Sequence, residues 1–292
     1  MTELLDAVGR TSLLTAAMRA AESRRPDRLY EDPYAELLCG ETGPALLAEV
    51  WEATFPGVAP SAAAAQGQRT MPDSLDVNAV RTRFFDDCLQ RAAEDVPQIV
   101  SAAAGMDSRA YRLEWPEGLS YYEIDRAPVL AYKEDRLAGV RPRADRHRMV
   151  AADLIEPDWE DRLQAAGYDP GLPSAWLLEG VLYYLPEAGV HSVLDRVRRI
   201  TAPGSVIAAD VVNSAGLSHA HARGQLDVFA GWGCPWQFGT DEPEELFARH
   251  GVAAEAVQPG EPAADYGRWS APVPPRDQDG VRRVFLVHGR RG

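Results

Sequence analysis

From residue 98 onward the sequence alternates short apolar runs with helical stretches, and this alternation leaves few folds open to the chain. QIVSAAAG (98–105), SYYEID (120–125), RMVAAD (148–153), SAWLLEG (174–180) and SVIAADVV (205–212) each read as a strand. Helical spacing fills 128–137 and 187–200 between them. Strands alternating with helices make a parallel α/β sheet covered on both faces, with right-handed crossovers. Ligands of such sheets sit beyond the carboxyl ends of the strands. VRRVFLVHG supplies a final strand near the C-terminus.

The first third has a different pattern. Leu4, Leu5, Val8, Leu13, Leu14, Ala17 and Met18 recur at helical spacing, and Asp32-Pro33 can open another helix. The segment DVNAVRTRFFDDCLQRAAE places Val80, Phe84, Cys88 and Leu89 on one side of a helix. Between them, Gly57 to Gln68 is rich in Ala, Gly and Pro and reads as a mobile loop inside one domain. Between Asn213 and Arg249 the strand pattern stops, and the stretch reads as helices and an aromatic loop. The expected organisation is a helical N-terminal segment (1–95) covering the site, then a core (96–292) with a lid insertion at about 213–250.

Charge and length narrow the partners. Thirty basic and 44 acidic residues give a formal charge of −14, which repels a polyanion unless a basic face is concentrated locally. No such face is evident; the Arg-rich stretch 141–148 is interrupted by Asp145. Nucleic acid is therefore not an expected partner. No apolar run approaches the roughly 18–20 residues of a membrane helix, and the N-terminus lacks a signal-peptide core. Cys39, Cys88 and Cys234 are widely spaced, which suits reduced, buried thiols in a cytoplasm and offers no zinc-ligand spacing, so no metal is expected.

Four carboxylates fall at or just after strand ends: Asp107, Asp125, Asp153 and Glu179. An acid in that place is either a cap or turn residue or a ligand group. Asp125 stands twenty residues after Gly105, where a carboxylate can accept both hydroxyls of a ribose. Two ligands compete for such a site, a nicotinamide dinucleotide and S-adenosylmethionine (SAM). A pyrophosphate wants G-x-G-x-x-G and bare helix amides. Here the loop is AAAGMDSR, with Ser108 at the third glycine and Asp107 where it would repel phosphate. SAM carries a sulfonium, an ammonium and one carboxylate, so a mostly acidic pocket with one or two arginines suits it better.

The chain resembles the leucine carboxyl methyltransferase family, in its bacterial branch of SAM-dependent methyltransferases. The resemblance rests on RTSLLTAAMRAAESRRPDRLYEDPYAELL, VRTRFFDD, IVSAAAGMDSRAYRL, YYEIDRAPVLAYK, AADLIEPDW, AWLLEGVLYYLP and the late YGR, in order along most of the chain. It implies a Rossmann-like, seven-stranded methyltransferase core with a helical N-terminal segment and a lid. By position it implies that Arg81 pairs with the SAM carboxylate, with Arg19 as a second cation there. Gly105 would admit the methionine part, and Asp125 would hold the ribose. Asp153 and Leu154 would hold the adenine, and Glu179 the ammonium. Arg109 and Tyr111 either shape the site or, for Tyr111, pack the core. One departure is evident: the family reads LGAG in the first loop, and this chain has Ala103 at the first glycine. Alanine fits if its φ is negative and is costly if φ is positive.

The acceptor is a small molecule or a peptide. A carboxylate acceptor is already ionised near neutral pH and needs no general base, whereas a phenol or alcohol does. His219 and His221 are either such a base or surface residues. Phe229, Trp232, Trp236 and Phe238 either pack the lid or wall a pocket for an apolar acceptor. Tyr183 and Tyr184 can orient an acceptor, with Tyr184 in the catalytic role, and Arg268 can pair with an acceptor carboxylate. The expected reaction is O-methylation of a carboxylate; hydroxyl methylation and a non-catalytic SAM-binding protein are the alternatives.

Overall fold

The computed structural model describes Leu5 and residues 7–57, 74–269 and 272–292. Leu4 and residues 58–68 of the Ala/Gly/Pro-rich passage lie outside the described residues.

Among the described residues seven strands form one sheet: β1 (Gln98–Ala102), β2 (Ser120–Asp125), β3 (Arg146–Ala151), β4 (Ser174–Leu178), β5 (Val206–Val212), β6 (Val252–Val257) and β7 (Val284–Arg291). Their order is β3-β2-β1-β4-β5-β7-β6. The first five run parallel, with Gln98 opposite both Ser120 and Ser174, and β7 is antiparallel to β5 and β6. Central strands β1 and β4 are buried at every position, while edge strands β3 and β6 alternate. That difference follows from two covered faces at the centre and a solvated edge. The strand order reverses between β1 and β4, and in open α/β sheets ligands bind at such a switch point. This is the Rossmann-like α/β core.

The helices are α1 (Ala7–Ser23), α2 (Ala35–Cys39), α3 (Thr42–Thr54), α4 (Ser74–Ala92), α5 (Arg109–Arg112), α6 (Ala127–Arg136), α7 (Trp159–Ala165), α8 (Glu187–Ile200), α9 (Arg223–Gly231) and α10 (Pro243–Arg249). In α8, Val190, Val193, Leu194, Val197 and Ile200 repeat at three and four and are all buried. Each such side chain contributes roughly 1.5–3 kcal/mol by leaving water. Glu187 in the first turn and Arg198 and Arg199 in the last complement the helix dipole. Helix α4 carries Val80, Phe84, Cys88 and Leu89 into the core as its spacing demands. It also buries Arg81, Thr82 and Asp86, because it lies between the N-terminal helices and the sheet. The N-terminal segment and the core share one apolar cluster, running from Leu13 and Val80 to Ile99 and Tyr121.

The insertion after β5 is shorter than the sequence pattern suggests. Helix α10 buries Leu246 and Phe247 in the cluster on the other sheet face and packs on β6, so it is an ordinary crossover helix. The inserted stretch is therefore 213–242, and its helix α9 docks on α3. That docking is close: a Cβ at Gly224 would stand 1.9 Å from the Ala53 carbonyl oxygen.

Candidate functional site

A cavity of about 270 Å³ opens beyond the carboxyl ends of β1, β2, β3 and β4. It brings together Arg19, Arg81, Gly105, Asp125, Asp153, Leu154, Glu179, Tyr183 and Tyr184. Its charged lining is evenly balanced: Asp107, Asp125, Asp153 and Glu179 face Arg19, Arg81, Arg109 and Arg126. The expectation of a mostly acidic pocket is corrected by these additional guanidiniums.

The loop after β1 is built by tight backbone bonding. Ala104 N donates to Ile124 O at 3.0 Å, and Gly105 N donates to Asp125 Oδ2 at 2.7 Å. Asp125 Oδ1 accepts from Arg126 N, also at 2.7 Å. Burial raises the Asp125 carboxyl to about 6, with these two amides opposing the shift. Ala103 has φ +56° and Gly105 φ +48°. Ala103 thus adopts the left-handed conformation that favours glycine, at a cost of roughly 1–2 kcal/mol. At Gly105 a Cβ would meet Ser12 Cβ of α1 at 2.7 Å. The absent side chain makes room for the N-terminal helix, and Gly105 itself lines the cavity.

Asp107 is drawn inward. Its carboxylate accepts from Arg109 N at 2.8 Å and from Arg109 Nη1 at 2.9 Å. It occupies the first amide of α5 that a phosphate would need, which agrees with the reading of the loop. Arg109 also donates to Asp86 and to Glu179, each at 2.7 Å. Glu179 Oε1 lies 3.0 Å from Arg81 Nε, outside hydrogen-bond alignment. Burial would raise the Glu179 carboxyl, but Arg109 and Arg81 hold it below the usual range. Arg19 donates to Asp32 at 2.8 Å and to the Met106 carbonyl. Asp153 accepts from Ile155 N, and Leu154 is buried beside it.

Three sequence candidates lie outside this cavity. Arg268 is locked by Glu22 (2.8 Å) and Asp76 (3.5 Å), all three nearly fully buried, so it is a structural ion cluster and does not face an acceptor. Trp232 donates to Glu49 at 3.1 Å and stacks under Arg10, placing it between the insertion and the N-terminal helices. Trp236 lines a second, smaller cavity of about 80 Å³ together with Leu14, Phe229 and Val284. Phe238 belongs to the sheet core, and Tyr111 packs against Tyr34 and His147. The aromatic group thus divides between pocket wall and core. No histidine lines either cavity among the described residues, and the His221 side chain lies outside them. The three cysteines are buried thiols.

The two cavities meet at Thr11, Thr15, Arg81, Tyr183 and Tyr184, which line both. Sequence reasoning missed the groups that hold this junction. Asp210 of β5 accepts from Arg81 Nη1 at 2.8 Å and from Gly180 N at 2.6 Å. An acid inside the apolar run SVIAADVV was the available signal. Asp32 and Asp86 gave no comparable signal, since each sits in a polar stretch.

The donor set fits SAM. Asp125 can accept ribose hydroxyls, Glu179 can meet an ammonium, and Arg81 or Arg19 can meet a carboxylate. Buried Ala152 and Leu154 and exposed Ile155 after β3 offer an apolar face for a base. Comparison with known proteins agrees. The chain is 45% identical over 207 residues to a protein of Parafrankia sp. (strain EAN1pec), covering 70% of this chain and 63% of that one. It is 38% identical over 281 residues to one of Mycolicibacterium gilvum, covering 85% and 88%. Both are provisionally named S-adenosyl-L-methionine-dependent methyltransferases. A solved structure of a provisionally named methyltransferase from Thermobifida fusca shares the fold, with a TM-score of 0.57 at 19% identity over 91% of this chain and 94% of that one. Residues 12–198 match the leucine carboxyl methyltransferase family, and the chain belongs to it as a SAM-dependent methyltransferase.

Proposed function

We propose that the protein methylates a carboxylate oxygen, forming a methyl ester on a small metabolite or peptide C-terminus. The observation that carries this reading is the chemistry of the junction between the cavities. It offers hydroxyls and a guanidinium, and among the described residues no histidine and no carboxylate without an arginine partner. Burial raises Tyr184 to about 12 and Tyr183 well above its ordinary value, so both stay protonated and act as donors. The Asp210 and Glu179 carboxylates are engaged by Arg81 and Arg109. A carboxylate acceptor needs only to be aligned and desolvated there.

When bound, SAM supplies an electrophilic methyl on a sulfonium. Asp125, Asp153 with Leu154, and Glu179 would hold its ribose, adenine and ammonium, and Arg81 with Arg19 its carboxylate. Tyr183 and Tyr184 would orient the acceptor oxygen toward that methyl group. No proton is transferred. Helices α1 and α4 line the junction, and α9 lines the second cavity beside it.

The test is incubation with methyl-labelled SAM and matched panels of carboxylic acids, phenols and alcohols. The reading expects labelled product from acids that releases methanol in mild base. Base-stable product from phenols or alcohols alone would overturn it.

A further inference from the structure

Beyond the junction, the second cavity is mainly apolar, walled by Met18, Val212, Phe229 and Trp236 among others. It nonetheless contains a cation, Arg282, in the segment leading into β7. Arg282 lines this cavity and not the first one. Among the described residues its polar contact is Gln225 Oε1, 3.5 Å from Nη2, and it has no carboxylate within ion-pair distance. Arg283 next to it is tied into the fold, donating to the carbonyls of Val281, Pro275 and Gln278. Arg19, Arg81 and Arg109 each have carboxylate partners. Burial lowers the Arg282 pKa, with no neighbouring carboxylate to oppose it. A half-buried cation without an anion loses part of its hydration uncompensated, and a bound anion offsets that loss. Asn78 lines the same cavity, and its Oδ1 is buried without a hydrogen-bond partner among the described residues.

We propose that Arg282, assisted by Gln225, anchors a second carboxylate at the end of the acceptor remote from the methylated group. The acceptor is then a small dicarboxylate with an apolar middle. Its reacting carboxylate sits at the junction and its anchoring one at Arg282. The space beyond the junction holds roughly five to eight water-sized groups, which limits the acceptor to a short chain or single ring. Methylation consumes one carboxylate as above and leaves the anchored one unchanged. The inference rests on the carboxylate reading of the reaction, because it treats the two ends of the acceptor as alike.

The experiment uses straight-chain dicarboxylic acids of roughly four to eight carbons and the monocarboxylic acids of equal length. Each is assayed for turnover with SAM, and titrated calorimetrically into protein holding S-adenosylhomocysteine. Wild type should prefer the best diacid over its monoacid by about tenfold or more in KM. Arg282→Gln should raise the diacid KM by about 10–100-fold, leave kcat within about twofold and leave the monoacid unmoved. Arg282→Lys should restore most of the affinity, which a merely structural role would not require. Equal diacid KM and affinity in wild type and Arg282→Gln would overturn the anchor. Base-labile product without dependence on Arg282 overturns the anchor alone. If no acid is methylated, the carboxylate reading falls, and the calorimetric comparison still decides the anchor.

Discussion

Arg81 Nη1 of helix α4 donates to Asp210 Oδ2 of strand β5 at 2.8 Å, joining the N-terminal segment to the sheet at the wall between the two cavities. From the sequence, replacement of Arg81 is expected to weaken SAM binding and spare the fold. Its burial beside Asp210 and Glu179 changes that expectation. Arg81→Met should lose SAM affinity and also cost about 3–5 kcal/mol of stability, because buried Asp210 loses its cation and Glu179 loses one of its two. Arg81→Met combined with Asp210→Leu should recover part of the stability but none of the affinity. Urea denaturation of the singles and the double measures this; strictly additive losses would contradict the pairing.

Ala103 gives the opposite sign. With φ +56° it is strained, and its half-buried methyl packs only at the margin of the apolar cluster. Ala103→Gly should stabilise the protein by about 1 kcal/mol, the relief of left-handed strain less the added freedom of the unfolded chain. A denaturation midpoint that is unchanged or lower would contradict it.

Asp125 should make cofactor binding depend on pH. Its carboxyl is raised to about 6 in the folded chain against 3.8 ordinarily. The stability this group contributes is present below about pH 4 and is lost as pH rises through about 6. Ribose hydroxyls donate to the ionised form, so SAM affinity should fall as pH drops through about 6. Calorimetry from pH 5 to 8 should show that fall in wild type and a flatter profile in Asp125→Asn. The same slope in both would rule out Asp125 as the titrating group.

Arg268 serves as a control for structure without chemistry. Arg268→Leu leaves Glu22 and Asp76 buried beside an apolar side chain and should cost about 3–5 kcal/mol. At a temperature where the variant remains folded, KM for SAM should stay within about twofold of wild type. A selective loss of turnover in a stable variant would return Arg268 to the reaction.

The sheet and its cofactor end were legible because their signals are local. Apolar runs ending in acid mark strand ends, and Asp125 lies twenty residues from Gly105 because one βα unit separates them. The groups that hold the site were not legible, since Asp32, Asp86 and Asp210 meet their arginines only through long-range packing. Arg268 misled because a lone arginine in a loop looks the same whether it meets a ligand or Glu22. Arg282 went unread for the converse reason: in sequence it is indistinguishable from Arg283. The lid boundary was overrun because α10, with Pro243 opening it, carries too short a pattern to separate from the insertion.

Calorimetric titration of the purified protein with SAM at pH 8 tests most directly whether the first cavity is the SAM site. Binding in the micromolar range or tighter by wild type, lost in a folded Asp125→Ala variant, is the predicted result. No binding by wild type, or equal binding by both proteins, would contradict it.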